Sequence, residues 1–127
     1  MTTQLNHTIV WCRNQEKSAN FLAEILGRPS PTRFGPFHVV ALDNDVSLDF
    51  YQQAGDIAMQ HYAFLIGEDD FDRVFTRIRE RSLDYWADPG REKAGEIYHH
   101  NGGRGFYFKD PDGHLLEVLT RPYASDG

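Results

Sequence analysis

An internal duplication narrows the folds open to this chain more than any other feature, because a repeated order of elements demands two like halves. The segments Leu5-Asn6-His7-Thr8-Ile9-Val10 and Met59-Gln60-His61-Tyr62-Ala63-Phe64 share a pattern, and each precedes an amphipathic stretch. His7 and His61 thus each open a strand. Helical spacing predicts a helix over 15–26, with Ala19, Leu22, Ile25 and Leu26 on one face, Asn14 as its N-cap, and Gly27 then Pro29 as its stop. A second is predicted over 69–81, where Phe71, Val74, Phe75 and Ile78 recur at helical spacing and Asp69, Asp70 and Asp72 crowd the positive end of the helix dipole. Strand-like segments follow each helix, at 37–42 and 46–52 in the first half and at 105–109 and 114–120 in the second. Asn44 and the run Asp110-Pro111-Asp112-Gly113 supply turn chemistry between them. Asp49 then holds the place in the first half that Glu117 holds in the second. Periodicity leaves 28–36 and 88–105 as loops.

Composition sets the class. With 127 residues, 40% of them hydrophobic, the chain suffices for a single domain with its own core, halved at about residue 55. Thirteen Lys and Arg stand against 19 Asp and Glu, a net charge of −6, and no basic run offers a track for phosphates, which excludes nucleic acid as the expected partner. No apolar stretch reaches the roughly 20 residues a membrane helix needs, and the first residues lack the pattern of a secretion signal, so a cytoplasmic protein is expected. The single Cys12 has no internal bridging partner; it falls on the strand face opposite His7 and reads as a packing residue.

Strand parity gathers the polar residues. Ser47, Asp49 and Tyr51 share one face, opposite Val46, Leu48 and Phe50; Glu117 lies with Leu119 and Arg121, and His61 with Ala63 and Leu65. If both halves curl into one cup, His7, Asp49, His61 and Glu117 meet on its floor. Two imidazoles and a carboxylate are a donor set for a divalent metal, with coordination positions left open for substrate or oxygen. A carboxylate between Leu116 and Val118 is costly to bury alone, and a metal offsets that cost. Asp49, shorter than Glu, serves either as a fourth ligand or as a hydrogen-bonding support.

These residues resemble the vicinal oxygen chelate superfamily of glyoxalase I, extradiol dioxygenases, fosfomycin-resistance enzymes and bleomycin-binding proteins. The resemblance spans nearly the whole chain and rests on His7, on His61-Tyr62-Ala63-Phe64 and on the run from Phe106 through Asp110-Pro111-Asp112-Gly113-His114 to Glu117. It implies an α+β fold of two tandem βαβββ modules forming a curved mixed sheet around a metal held by His7, His61 and Glu117, with Asp49 as a possible fourth ligand. It also implies a homodimer whose cup is completed by the partner. The order His99, Phe106, Tyr107, Asp110, Pro111, Gly113, Glu117 looks like the extradiol dioxygenase signature, which makes His99 an acid/base group and Tyr107 a hydrogen-bond donor to a metal-bound substrate oxygen. His100 is the adjacent competitor for the first role.

The phrases Asn6-His7-Thr8-Ile9-Val10-Trp11-Cys12, Phe34-Gly35-Pro36-Phe37 and Thr120-Arg121-Pro122-Tyr123 look most like a small bacterial group of single-domain dioxygenases related to chartreusin biosynthesis. That likeness implies Fe(II), with Mn(II), Ni(II), Zn(II) or Co(II) as other candidates, and a phenolic substrate chelating through adjacent oxygens. The run Gly102-Gly103-Arg104-Gly105 reads as a lid loop in which Arg104 clamps an anion; Tyr51 and Arg121 are further substrate contacts, while Trp11 and Trp86 read as core. The other outcomes are a glyoxalase-type lyase or isomerase and a non-catalytic binder of an aromatic antibiotic. A fosfomycin transferase fits less well, since Ile9 and Gly105 stand where that branch has hydroxyl residues.

Overall fold

The computed structural model describes residues 2–123 and contains two units, one up to Ala58 and one from Met59. Each runs strand, helix, strands. The first comprises β1 (His7–Cys12), α1 (Gln15–Leu26), β2 (Thr32–Phe34), β3 (Phe37–Ala41) and β4 (Ser47–Gln52). The second comprises β5 (His61–Leu65), α2 (Glu68–Glu80), β6 (Tyr85–Trp86), β7 (Tyr98–His100), β8 (Gly103–Lys109) and β9 (Leu115–Leu119). The mixed strands form two sheets, ordered β1-β4-β3-β2 and β5-β9-β8-β6, with β7 alongside β8.

In the first unit β1 runs parallel to β4, and β4 pairs antiparallel with β3. Helix α1 starts where Asn14 Oδ1 accepts from the Lys17 amide at 3.0 Å, and it ends at Gly27, whose φ of 70° suits glycine and whose N–H turns back to Ala23 and Glu24. Its buried face, Ala19, Leu22, Ala23 and Ile25, belongs to the same core as Val10, Cys12, Val40 and Phe50. Cys12 is buried, as its strand parity predicts. Gln15 ties the helix start to the sheet through a reciprocal pair of bonds with Gln52, each side-chain oxygen accepting the other's amide N–H.

The second unit repeats this plan around β9, a central strand buried along its whole length. Phe71, Val74 and Ile78 of α2 are buried, and the rings of Phe71 and Phe75 meet Phe106 edge-on or tilted at 5.4 and 5.5 Å. The Asp110-Pro111-Asp112-Gly113 turn forms as its residues dictate: Asp110 Oδ1 accepts from the amides of Asp112 and His114, both at 2.9 Å, and Gly113 takes a φ of 89°. His114 is fully buried, and its Nδ1 accepts the Gln60 amide.

Strand existence in 28–36 and 88–105 departs from expectation. Residues 32–34 form β2 and 98–100 form β7, while 103–105 open β8. The edge of β8 is filled by two pieces, β6 against Tyr107 and Phe108 and β7 against Gly103 to Gly105. Between β7 and β8 only Asn101 and Gly102 turn the chain, with φ of 49° and 80°, the signs a two-residue hairpin of the primed type requires. The glycine-rich run is therefore hairpin and strand, and not a lid. Among the described residues no helix is long and apolar enough to cross a membrane.

Candidate functional site

Register sets corresponding residues at the same offset in the two units. His7 pairs with Ser47 and Ile9 with Asp49; His61 pairs with Leu115 and Ala63 with Glu117. In both units the carboxylate lies two residues beyond the histidine's partner. Only the second unit joins the two side chains.

There, His61 Nδ1 lies 2.9 Å from the Leu115 carbonyl and His61 Nε2 lies 3.2 Å from Glu117 Oε1. A carbonyl oxygen only accepts, so Nδ1 carries the proton. Nε2 then either bears a second proton, making an imidazolium, or aims its lone pair at a carboxylate. The second arrangement calls for a cation between them, and a backbone carbonyl on the far nitrogen is the usual support of a metal-binding imidazole. Glu117 is fully buried while the His61 side chain is 45% exposed, so the pair opens to one side. The donor set fits a divalent metal.

Three phenols surround the carboxylate. Tyr98 and Tyr123 each donate to Glu117 Oε2, and the Tyr107 and Tyr123 hydroxyls lie 2.8 Å apart. The Tyr107 ring stacks 5.8 Å from His61. Burial, followed by the bond to Glu117 and its negative charge, raises the pKa of Tyr98 and of Tyr123 well above the ordinary phenol value. For Tyr107 the upward causes are burial, the bond to Tyr123 and the Glu117 charge. All three hydroxyls stay protonated at neutral pH and serve as donors. Beside them, residues including Pro89, Ile97, Tyr98, His99, His100, Tyr107 and Tyr123 line a cavity of about 650 Å³.

In the first unit the equivalent side chains bond to neighbours. His7 Nδ1 lies 2.7 Å from Asn6 Oδ1, which again directs Nε2 outward, and Ser47 Oγ donates to Asp49 Oδ1 at 2.9 Å. Asp49, one methylene shorter than Glu117, is buried at 8% exposure on the face where Tyr51 packs against Trp11 and Phe37. Trp11, expected in the core, is 38% exposed on that face; Trp86 is half-buried on β6. Among the described residues no group of three or more His, Cys, Asp or Glu side chains comes together to hold a metal. His61–Glu117 is the pair that does meet.

One expected substrate contact, Arg104, is engaged elsewhere. Arg104 alternates with Gly103 and Gly105 along β8 and so points toward α2, where it bonds to Glu68 and Asp72 and sits 4.2 Å over the Phe71 ring. It anchors the helix and is not free to clamp an anion. In β7, His99 pairs with Arg104 while Tyr98 and His100 pair with Gly105 and Gly103, and all three β7 residues line the cavity. His100 contacts Tyr98 and Tyr123, with ring centroids at 5.1 and 5.7 Å. Both candidate imidazoles therefore border the cavity, His100 in contact with the phenols. Arg121 lays its aliphatic stem over Gly103, at the end of the same face.

Tyr98 is the site residue that sequence reasoning missed. The available signals were Asn101-Gly102, a hairpin turn pair, and Gly105, because a glycine inside a strand marks a close approach by another group.

Known proteins resemble this chain in sequence and in fold. Residues 4–118 match the Glyoxalase/Bleomycin resistance protein/Dioxygenase superfamily. The structure of Oxidase ChaP-H1 is similar at 58% identity and a TM-score of 0.96, covering 98% of this chain and 100% of that one. Oxidase ChaP-H2 is similar at 57% identity with the same TM-score, each chain covered in full. The Metallothiol transferase FosB of Shouchella clausii (strain KSM-K16) is 31% identical over 98% of this chain and 84% of its own length. The repeated modules, the paired histidine and glutamate, and these likenesses lead to one conclusion: the chain belongs to the glyoxalase/bleomycin resistance protein/dioxygenase superfamily.

Proposed function

We propose that the protein is a divalent-metal-dependent dioxygenase acting on a phenolic or other aromatic small molecule that presents adjacent oxygens. The observation that carries this is the facing of His61 Nε2 and Glu117 Oε1 beside three protonated phenols. Two oxidases at 57–58% identity support the oxygen-using class. The transferase at 31% supports the metal.

His61 and Glu117 would hold the ion, with His7 of a second copy as third ligand in a homodimer. Asp49, held by Ser47 in the same unit as His7, would accompany it as a fourth ligand or a hydrogen-bonding support. Two histidines and one carboxylate favour Fe(II) over Mn(II), Ni(II), Zn(II) or Co(II) where oxygen is used. Bound there, the metal supplies Lewis acidity and, as Fe(II), the electrons that make dioxygen reactive. Each protein group then has a defined task. Tyr107 donates a hydrogen bond that orients a substrate oxyanion. His100, whose ring contacts Tyr98 and Tyr123 in the cavity that His99 also lines, takes up and returns the phenolic proton. The cavity bounded by Pro89, Ile97 and Tyr98 receives the ring.

Oxygen uptake by anaerobically reconstituted protein, assayed with catechols and polycyclic quinols, tests the proposal. Fe(II)-dependent uptake that is lost in Glu117→Gln and His100→Phe is expected. Turnover of a hemithioacetal with Zn(II) or Ni(II), and no oxygen uptake with iron, would instead establish a glyoxalase-type isomerase.

A further inference from the structure

Glu117 has two oxygens, and the fold treats them differently. Oε1 faces His61 Nε2 at 3.2 Å, while Oε2 accepts from Tyr98 and Tyr123. The two phenols are not equivalent. Tyr123 follows the last strand and is 52% exposed, whereas Tyr98 belongs to β7 and is ladder-paired with Gly105.

To reach Glu117, the Tyr98 ring must cross β8. It does so directly over Gly105, where a Cβ would stand 2.7 Å from Tyr98 Cε2 and nearer still to the phenol end of the ring. Any other residue at 105 closes this route. Contacts with Tyr107 at 5.9 Å, Tyr123 at 6.3 Å and His100 at 5.1 Å then fix the ring's tilt.

A carboxylate with both oxygens free can grip a cation with both, using a coordination position that a chelating substrate needs. One whose second oxygen is occupied by phenol donors offers a single oxygen. We infer that Tyr98 is a positioning residue: seated in the gap that Gly105 leaves, it holds Glu117 Oε2 and leaves Oε1 as the one oxygen offered to a cation beside His61. This rests on the metal-holding role of His61 and Glu117 proposed above.

Co(II) titration of the metal-free full chain, followed by visible absorption, separates the two ideas. Wild type is expected to bind about one ion per chain with visible ligand-field bands. Tyr98→Phe keeps the ring and loses only the hydroxyl, leaving Tyr123 as the single donor to Oε2; it is expected to weaken Co(II) binding roughly 10-fold and to shift the bands as that oxygen is freed in part toward the ion. Its near-UV circular dichroism stays that of wild type. Gly105→Ala removes the seat and leaves the hydroxyl, and in folded protein it is expected to shift the bands in the same direction. Wild-type bands with affinity within about twofold in Tyr98→Phe would overturn the positioning role alone. Absence of Co(II) bands in wild type would overturn that role together with the metal centre.

Discussion

His61 meets a carbonyl with one ring nitrogen and a buried carboxylate with the other, and that sandwich governs the chemistry of the second unit. Glu117→Gln keeps the shape and an acceptor for the phenols but removes the charge that a cation needs. Melting is expected to stay close to wild type while affinity for Co(II) or Fe(II) falls by roughly 10-fold or more, measured by competition with a chromogenic chelator. The phenols carry a second expectation. In the unfolded chain they ionise near pH 10, and in the folded chain burial and the Glu117 charge raise all three. The folded state therefore binds more protons than the unfolded one above about pH 10, so stability is complete below that pH and declines as pH rises through the folded values. Urea midpoints measured from about pH 9 to about pH 11 should fall for wild type and fall less steeply for Tyr98→Phe; equal slopes would contradict the coupling.

At the scale of elements, legibility in the sequence followed local chemistry. Helix α1 was readable to its ends because Asn14 and Gly27 are strong caps, and Asn14→Ala is expected to cost about 1 kcal/mol in a urea titration. Helix α2 begins one residue earlier than its spacing suggests, at Glu68, because Gly67 starts it without a side-chain cap. The short strands β2, β6 and β7 were not legible, since segments of two or three residues show no period and are held by their neighbours' ladders. The Asn101-Gly102 hairpin sends Arg104 to α2 and brings Tyr98 to Glu117, and the glycine-rich composition of the segment shows neither. Gly102→Ala, placed at a φ of 80°, should destabilise the protein by about 1 kcal/mol. Arg104→Ala distinguishes anchor from clamp. Loss of its seat over Phe71 should lower stability by about 1 kcal/mol and leave Co(II) affinity unchanged, whereas a clamp would show the reverse.

Across the whole molecule, duplication made the fold readable: once His7 and His61 are seen to open like strands, the matching places of Asp49 and Glu117 follow from register. The sequence could not reveal that only one unit joins its histidine to its carboxylate, because a methylene and the neighbouring Ser47 decide it. A site completed by His7 of a second copy can be tested by mixing. His7→Ala and Glu117→Ala chains, each inactive alone, should regain about a quarter of wild-type sites after subunit exchange, since half the dimers are mixed and each has one intact site. Ligands drawn from one chain would regain none. The most direct test of the metal centre itself is the metal content of anaerobically prepared protein offered Fe(II), Mn(II), Ni(II) and Zn(II) together, beside His61→Ala. Near-stoichiometric metal in wild type, with iron preferred, and its loss in the variant are the expected result; equal, trace metal in both proteins would contradict a metal centre at His61 and Glu117.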